Sequence, residues 1–170
     1  MSSFTDFEPE TSVQLNQFAT RELGMEYWVV TKPFTYHIGD LPSDEIVKIP
    51  QGYITDGASI PVFLKRFIPS WGKYGAAAIV HDILCETLTI ISKGQEKLID
   101  RKRADRIFLE AMKVLKVPFL QRWSFYIAVR AWVIYNNANH KTYLSEKKKC
   151  VQQLLADYYA VNGNYNIEVK

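Results

Sequence analysis

The chain has little cysteine, little net charge and no apolar run that is both long and free of charged residues, and each shortage narrows what it can be. Cys85 and Cys150 are its only cysteines, too few for the disulfide framework of a small secreted domain or for a paired-cysteine zinc site. A reducing compartment is therefore expected. Lys and Arg number 21 against 18 Asp and Glu, a formal charge of +3, so no strong field calls for a polyanionic partner. The charged runs KGQEKLIDRKR (93–103) and SEKKK (145–149) carry acids as well and read as solvated faces, giving no strong case for nucleic acid. The most apolar windows, 74–91 and 117–138, are interrupted by His81, Asp82 and Glu86, or by Arg122 and Arg130, which argues against a transmembrane segment. The opening MSSFTDFEPET is acidic and sets no basic stretch before an apolar one, so no signal peptide is expected.

What is present is a chain of 170 residues, 48% hydrophobic and 14% aromatic, long enough to bury one core without staples. Residues 1–24 are polar with scattered apolar positions and read as a partly ordered arm; 25–170 reads as a single domain. Between 25 and 56 the β-formers concentrate, in MEYWVVTKPFTYHI and EIVKIPQGYIT around the turn-rich GDLPSD, a pattern of two or three short strands. From 60 to about 160 the apolar period is helical. Helices are expected at 60–68, about 72–90, from the Asp100 cap to the break at Pro118, at 119–137, and from Ser145 to Gly163. The expected fold is α+β, a small N-terminal antiparallel sheet packed on a bundle of about four to five helices.

Several polar residues fall where apolar ones belong. In the segment YGAAAIVHDILCETLTII, His81 shares a helix face with Ala77, Ala78, Leu84 and Cys85, and Asp82 sits at the margin of that face. A buried carboxylate needs a cation, a metal or a donor. The helix after Asp100 has an apolar stripe through Ala104, Ile107, Phe108, Ala111 and Met112, with Asp105 beside it. Asp105 is thus semi-buried and placed to orient His81, or else bridges locally to Arg101 or Arg106. Arg130 shares a face with Trp123, Ile127 and Ile134, so it either snorkels outward or pairs inside with Asp82, Asp105 or Glu110. In TDGASIP (55–61), Asp56 and Ser59 offer a carboxylate and a hydroxyl at a strand-to-helix junction; Ser59 before Ile60-Pro61 also makes a plain helix cap.

Taken together, GYITDGASIP, WGKYGAAAIVHDILC and RADRIFLEAM resemble a family of phage and prophage proteins that carry a domain of unknown function. That family's pattern is a TDxASIP segment, a WxxYxxAAxxHD helix and an ADxxF helix. The resemblance covers roughly residues 45–135. It implies a phage origin and a shared pocket around Asp56, Ser59, His81, Asp82 and Asp105. A looser similarity of site geometry links the His-Asp helix to secreted phospholipase A2, in which the His activates water, the adjacent Asp binds calcium and a distant Asp orients the His. The cysteine-flanked calcium loop of that enzyme has no counterpart here.

Two functions follow as expectations. The first is a phage-encoded hydrolase, with His81 and Asp105 catalytic and Asp82, with Asp56, holding a divalent cation, calcium or magnesium. The second is a non-catalytic accessory protein that binds a small molecule, a host factor or a virion component, its His and Asp residues forming a buried network. In either case Asp56, Ser59, Arg130 and Tyr74 are the candidate ligand-binding residues, and the expected location is the host cytoplasm or the virion.

Overall fold

The computed structural model describes residues 1–5, 13–56 and 74–162. Within them eight strands form two antiparallel sheets and five helices pack around them, an α+β fold. The strands are β1 (Ser3–Thr5), β2 (Val13–Leu15), β3 (Trp28–Val30), β4 (Phe34–His37), β5 (Glu45–Ile49), β6 (Ile54–Thr55), β7 (Thr89–Ser92) and β8 (Gln95–Leu98). The helices are α1 (Gln17–Leu23), α2 (Gly75–Thr87), α3 (Arg101–Val114), α4 (Phe119–Tyr135) and α5 (Glu146–Asn162). The helix expected at 60–68 lies outside the described residues.

The larger sheet runs β1-β4-β5-β7-β8. Its register sets Phe34 opposite Ile49 and Tyr36 opposite Val47, so the alternation of these strands sends one apolar row to the core. α2 and α3 lie against each other, as do α3 and α4, and Ala77, Leu84, Ile107 and Met112 join that row in the main core. The smaller sheet runs β2-β3-β6 and is covered on both faces. Val30 enters the main core, whereas Val29 and Ile54 enter a second one with α1 and α5. That double cover explains the continuous apolar WVV of β3.

Residues 25–56 form four strands, β3 to β6, divided between the two sheets, where two or three in one small sheet were expected, and two further parts of the chain differ from the sequence reading. Within 1–24, β1 pairs with β4, β2 pairs with β3, and α1 is capped at both ends: the Asn16 side chain accepts from Ala19 N at 2.8 Å and Gly24 is left-handed. The helical stretch after residue 60 is also broken by the hairpin β7–β8. α2 ends where Leu88 turns left-handed (φ 51°); the β-branched run Thr89-Ile90-Ile91 and the two-residue turn Lys93-Gly94, both with positive φ, then favour a hairpin over another helical turn. β8 is exposed along its length and carries Glu96 and Lys97, as suits an edge strand.

α5 closes the smaller sheet against the turn between β5 and β6. Gly52 there has φ +83°, and a Cβ on it would stand 2.7 Å from Ala156 Cα of α5. Gly94, at φ +79°, has open space around it. Gly52→Ala is therefore expected to cost roughly 2–4 kcal/mol in urea unfolding and Gly94→Ala about 1 kcal/mol. Equal losses would show that backbone conformation alone, and not the approach of α5, sets the requirement.

Candidate functional site

α2 is apolar nearly all round, which buries it. His81 and Cys85 stand one turn apart on it, 8% and 6% exposed. The His81 ring stacks on Phe108 of α3, with centroids 4.7 Å apart and planes at 25°. Its Nε2 lies 2.8 Å from Oδ1 of Asp105, a carboxylate with no exposed surface. Cys85 Sγ is 3.4 Å from the same nitrogen. Because an ionised carboxylate only accepts, Asp105 sets the tautomer: the proton resides on Nε2 and the lone pair on Nδ1. Nδ1 is hydrogen-bonded to nothing among the described residues.

Two guanidiniums meet the same carboxylate. Arg130 Nη1 of α4 donates to Asp105 Oδ2 at 2.7 Å, and Arg101 Nε, four residues before Asp105 on α3, lies 3.5 Å from Oδ1. Burial pushes the Asp105 carboxyl upward, but the hydrogen bonds from His81 and Arg130 and the charge of Arg101 outweigh it and hold the group below its ordinary value. Burial, aided by Arg101, pushes the His81 imidazole below 6.5 against the pull of Asp105. Burial also raises the Cys85 thiol, so at neutral pH the imidazole is neutral and the sulfur protonated.

A second group of charges stands beside this one. β6 delivers Thr55, whose hydroxyl donates to Asp82 Oδ2 at 2.5 Å, and Asp56 follows directly. Burial, with the charges of Asp56 and Glu86, pushes the Asp82 carboxyl up to about 7, against the Thr55 hydrogen bond and the charge of Lys148. Glu86 is paired with Lys148 of α5 at 2.9 Å. Both groups open on one cavity of about 300 Å³, whose lining includes Asp56, Tyr74, His81, Asp82, Arg101 and Trp132.

Comparison with family sequence models matches residues 28–129, more than half of the chain, to a family described as protein of unknown function (DUF1353). The chain belongs to the DUF1353 family. Searches of curated proteins and of solved structures found no match. The DUF1353 match runs from β3 to late α4 and so includes Asp56, Tyr74, His81, Asp82, Arg101 and Asp105; it stops one residue short of Arg130 and before Thr142 and Lys148.

Of the residues singled out from sequence, the DUF1353 fold brings Asp56, Tyr74, His81 and Asp82 to the cavity and sets Asp105 and Arg130 directly behind His81. Asp105 is fully rather than partly buried, because α2 and α4 close over its side of α3. Of the three acids considered for Arg130, Asp105 is the one it meets, while Glu110 instead accepts from Ser2, Tyr36 and Gly39. Tyr74 makes an edge contact with Phe125, centroids 5.1 Å apart. Ser59 lies outside the described residues. Sequence reasoning missed Arg101 as a cavity residue because it stands in a charge run, and missed Lys148 for the same reason. Thr55 had a signal, a β-branched polar residue ending a strand before an acid.

As for metal, His81, Cys85 and Asp105 are the trio whose donor atoms come within 4.8 Å of one another among the described residues. They suit a cation poorly, since Asp105 is already engaged by two guanidiniums. Asp56 and Asp82 remain the better pair, able to supply the one or two carboxylates that magnesium takes alongside water or substrate.

Two outcomes follow for stability. Asp105→Asn keeps the shape but leaves two guanidiniums facing no charge, and is expected to lower the unfolding free energy by about 3–5 kcal/mol in urea at neutral pH. Asp82 acts with the opposite sign to His81. Its folded value is above the unfolded one, so its contribution is present below about pH 4 and is lost as pH rises through about 7; that of His81 is present above about 6.5 and lost as pH falls. The stability of Asp82→Asn relative to the native chain should therefore rise between about pH 4 and about pH 7. A flat difference would mean that Asp82 is not held protonated by its surroundings.

Proposed function

We propose that this protein is a hydrolase in which His81 draws a proton from water while Asp105 holds the imidazole. The observation that carries this reading is a cavity-lining imidazole with Nε2 engaged by a buried carboxylate and Nδ1 left unengaged. In the step proposed, water gives its proton to Nδ1 as its oxygen bonds to the carbonyl or phosphoryl centre of the substrate. The bond to the leaving oxygen then breaks, and the imidazolium returns the proton to that oxygen. Arg130 is a positioning residue that keeps Asp105 ionised and fixed.

A divalent cation, magnesium more readily than calcium, is proposed at Asp82 and Asp56, where it would polarise the scissile bond. The resemblance to phage and prophage proteins supports a setting in an infected cell, in the host cytoplasm or on the virion. The alternative, a binding protein with a structural His-Asp network, is favoured by one observation: Arg101 and Arg130 already satisfy the charge of Asp105. A test on p-nitrophenyl butyrate and bis(p-nitrophenyl) phosphate, with magnesium and with EDTA, separates the two readings. His81→Asn is expected to lower kcat by roughly 10²–10⁴-fold while the thermal transition is kept. The midpoint of the native pH-rate profile should fall below the ordinary imidazole value of 6.5, because burial lowers the folded base. A rate unchanged in His81→Asn sinks the catalytic reading.

A further inference from the structure

The charges gathered around Asp105 do not balance. Asp105 supplies one negative charge to two guanidiniums, and Arg130 has the shorter contact, 2.7 Å against 3.5 Å. Arg101 is only 7% exposed in its side chain. Its Nη1 reaches Thr142 Oγ1 at 3.3 Å, its buried Nε makes no hydrogen bond, and no described residue accepts from Nη2. The neutral imidazole and the protonated thiol nearby add no negative charge. The cavity's other acids are arranged elsewhere: Glu86 is held by Lys148, and Asp82 answers to Asp56, Glu86 and Lys148. A buried cation without a full partner is costly, and an incoming anion relieves that cost.

The remaining wall is apolar, with Phe108, Phe125, Ala128, Val129, Trp132 and Leu144. We propose that Arg101 anchors the ligand of this cavity, and that the ligand is a small monoanionic amphiphile whose carboxylate or phosphodiester head meets Arg101 and whose apolar body lies against Phe125, Val129 and Trp132. One excess positive charge matches one negative charge. A dianion would overshoot it, and a cation would find Arg101 in its way. A cavity of about 300 Å³ is of the size that takes a short-chain molecule. This proposal rests on the cavity being the substrate site, but does not require His81 to be the base.

Calorimetric titration of the full chain with octanoate, octanol, octylamine and acetate tests it. Octanoate should bind at least about tenfold more tightly than octanol, as expected for a charge-assisted hydrogen bond in a buried site. Acetate, lacking the apolar body, and octylamine, carrying the wrong charge, should bind more weakly still. Arg101→Gln should bring octanoate down to the level of octanol and leave octanol unchanged. Octanoate binding by the native chain together with a turnover that His81→Asn does not lower marks failure of the hydrolase reading alone. If Arg101→Gln does not fold, the native chain still decides: its Arg101 Nε resonance should move with octanoate and stay in place with octanol. Equal affinities for octanoate and octanol, or a preference that survives Arg101→Gln, would overturn the proposal.

Discussion

One carboxylate with no exposed surface ties together three helices: Asp105 on α3 receives Nε2 of His81 from α2, Nη1 of Arg130 from α4 and the charge of Arg101 from its own first turn. The cavity, the tautomer of His81 and the packing of α2 against α4 across α3 all depend on it. Such a network is a poor device for stability alone. A similar volume filled with apolar side chains commonly holds helices at least as firmly, because the desolvation of the ions is then avoided. What the ions supply that methyl groups cannot is a fixed imidazole with a lone pair on a chosen nitrogen. That supports the proposal that the centre is a site and not only glue.

Around this centre the fold places further charged groups. The smaller sheet is enclosed by two cores and so fixes where β6 ends, which places Thr55 against Asp82 and sets Asp56 beside them. Asp56, Asp82, Glu86 and Arg101 line the same cavity. Asp82 and His81 respond oppositely to protons, since burial keeps the carboxyl of Asp82 protonated into the neutral range and keeps His81 deprotonated. Asp105, with no exposed surface, is held ionised by the hydrogen bonds from His81 and Arg130 and by the charge of Arg101.

How much of this was legible in the sequence follows from the range of the signals. The pairing of His81 with Asp105 could be read because helical periodicity places each on an apolar face and a buried carboxylate must find a partner. The Asp100 cap of α3 was equally local, its side chain accepting from Arg103 N at 2.6 Å. Arg101 was hidden by its neighbours: in IDRKRADR it resembles any solvated charge, and only the return of residues near Thr142 across the end of α2, where Thr142 N bonds Cys85 O at 2.7 Å, encloses it. The hairpin β7–β8 was lost because TLTII continues the apolar run of α2; the left-handed Leu88 that ends the helix has no glycine to announce it. The integration of residues 1–24 into both sheets was missed because three-residue strands carry too little pattern to be seen.

The trio of His81, Cys85 and Asp105 invites two other chemistries, and its own electrostatics oppose both. A nucleophilic cysteine needs its thiol deprotonated by a base. Cys85 faces Nε2, the nitrogen whose proton is committed to Asp105, and burial raises its thiol further. A metal at the trio would need Asp105 as a ligand, against guanidinium groups at 2.7 and 3.5 Å that already occupy both carboxylate oxygens. Either route would have to break the ion network that sets the imidazole in place. The nitrogen that stays available is Nδ1, and under the proposed function water is the reactant that meets it.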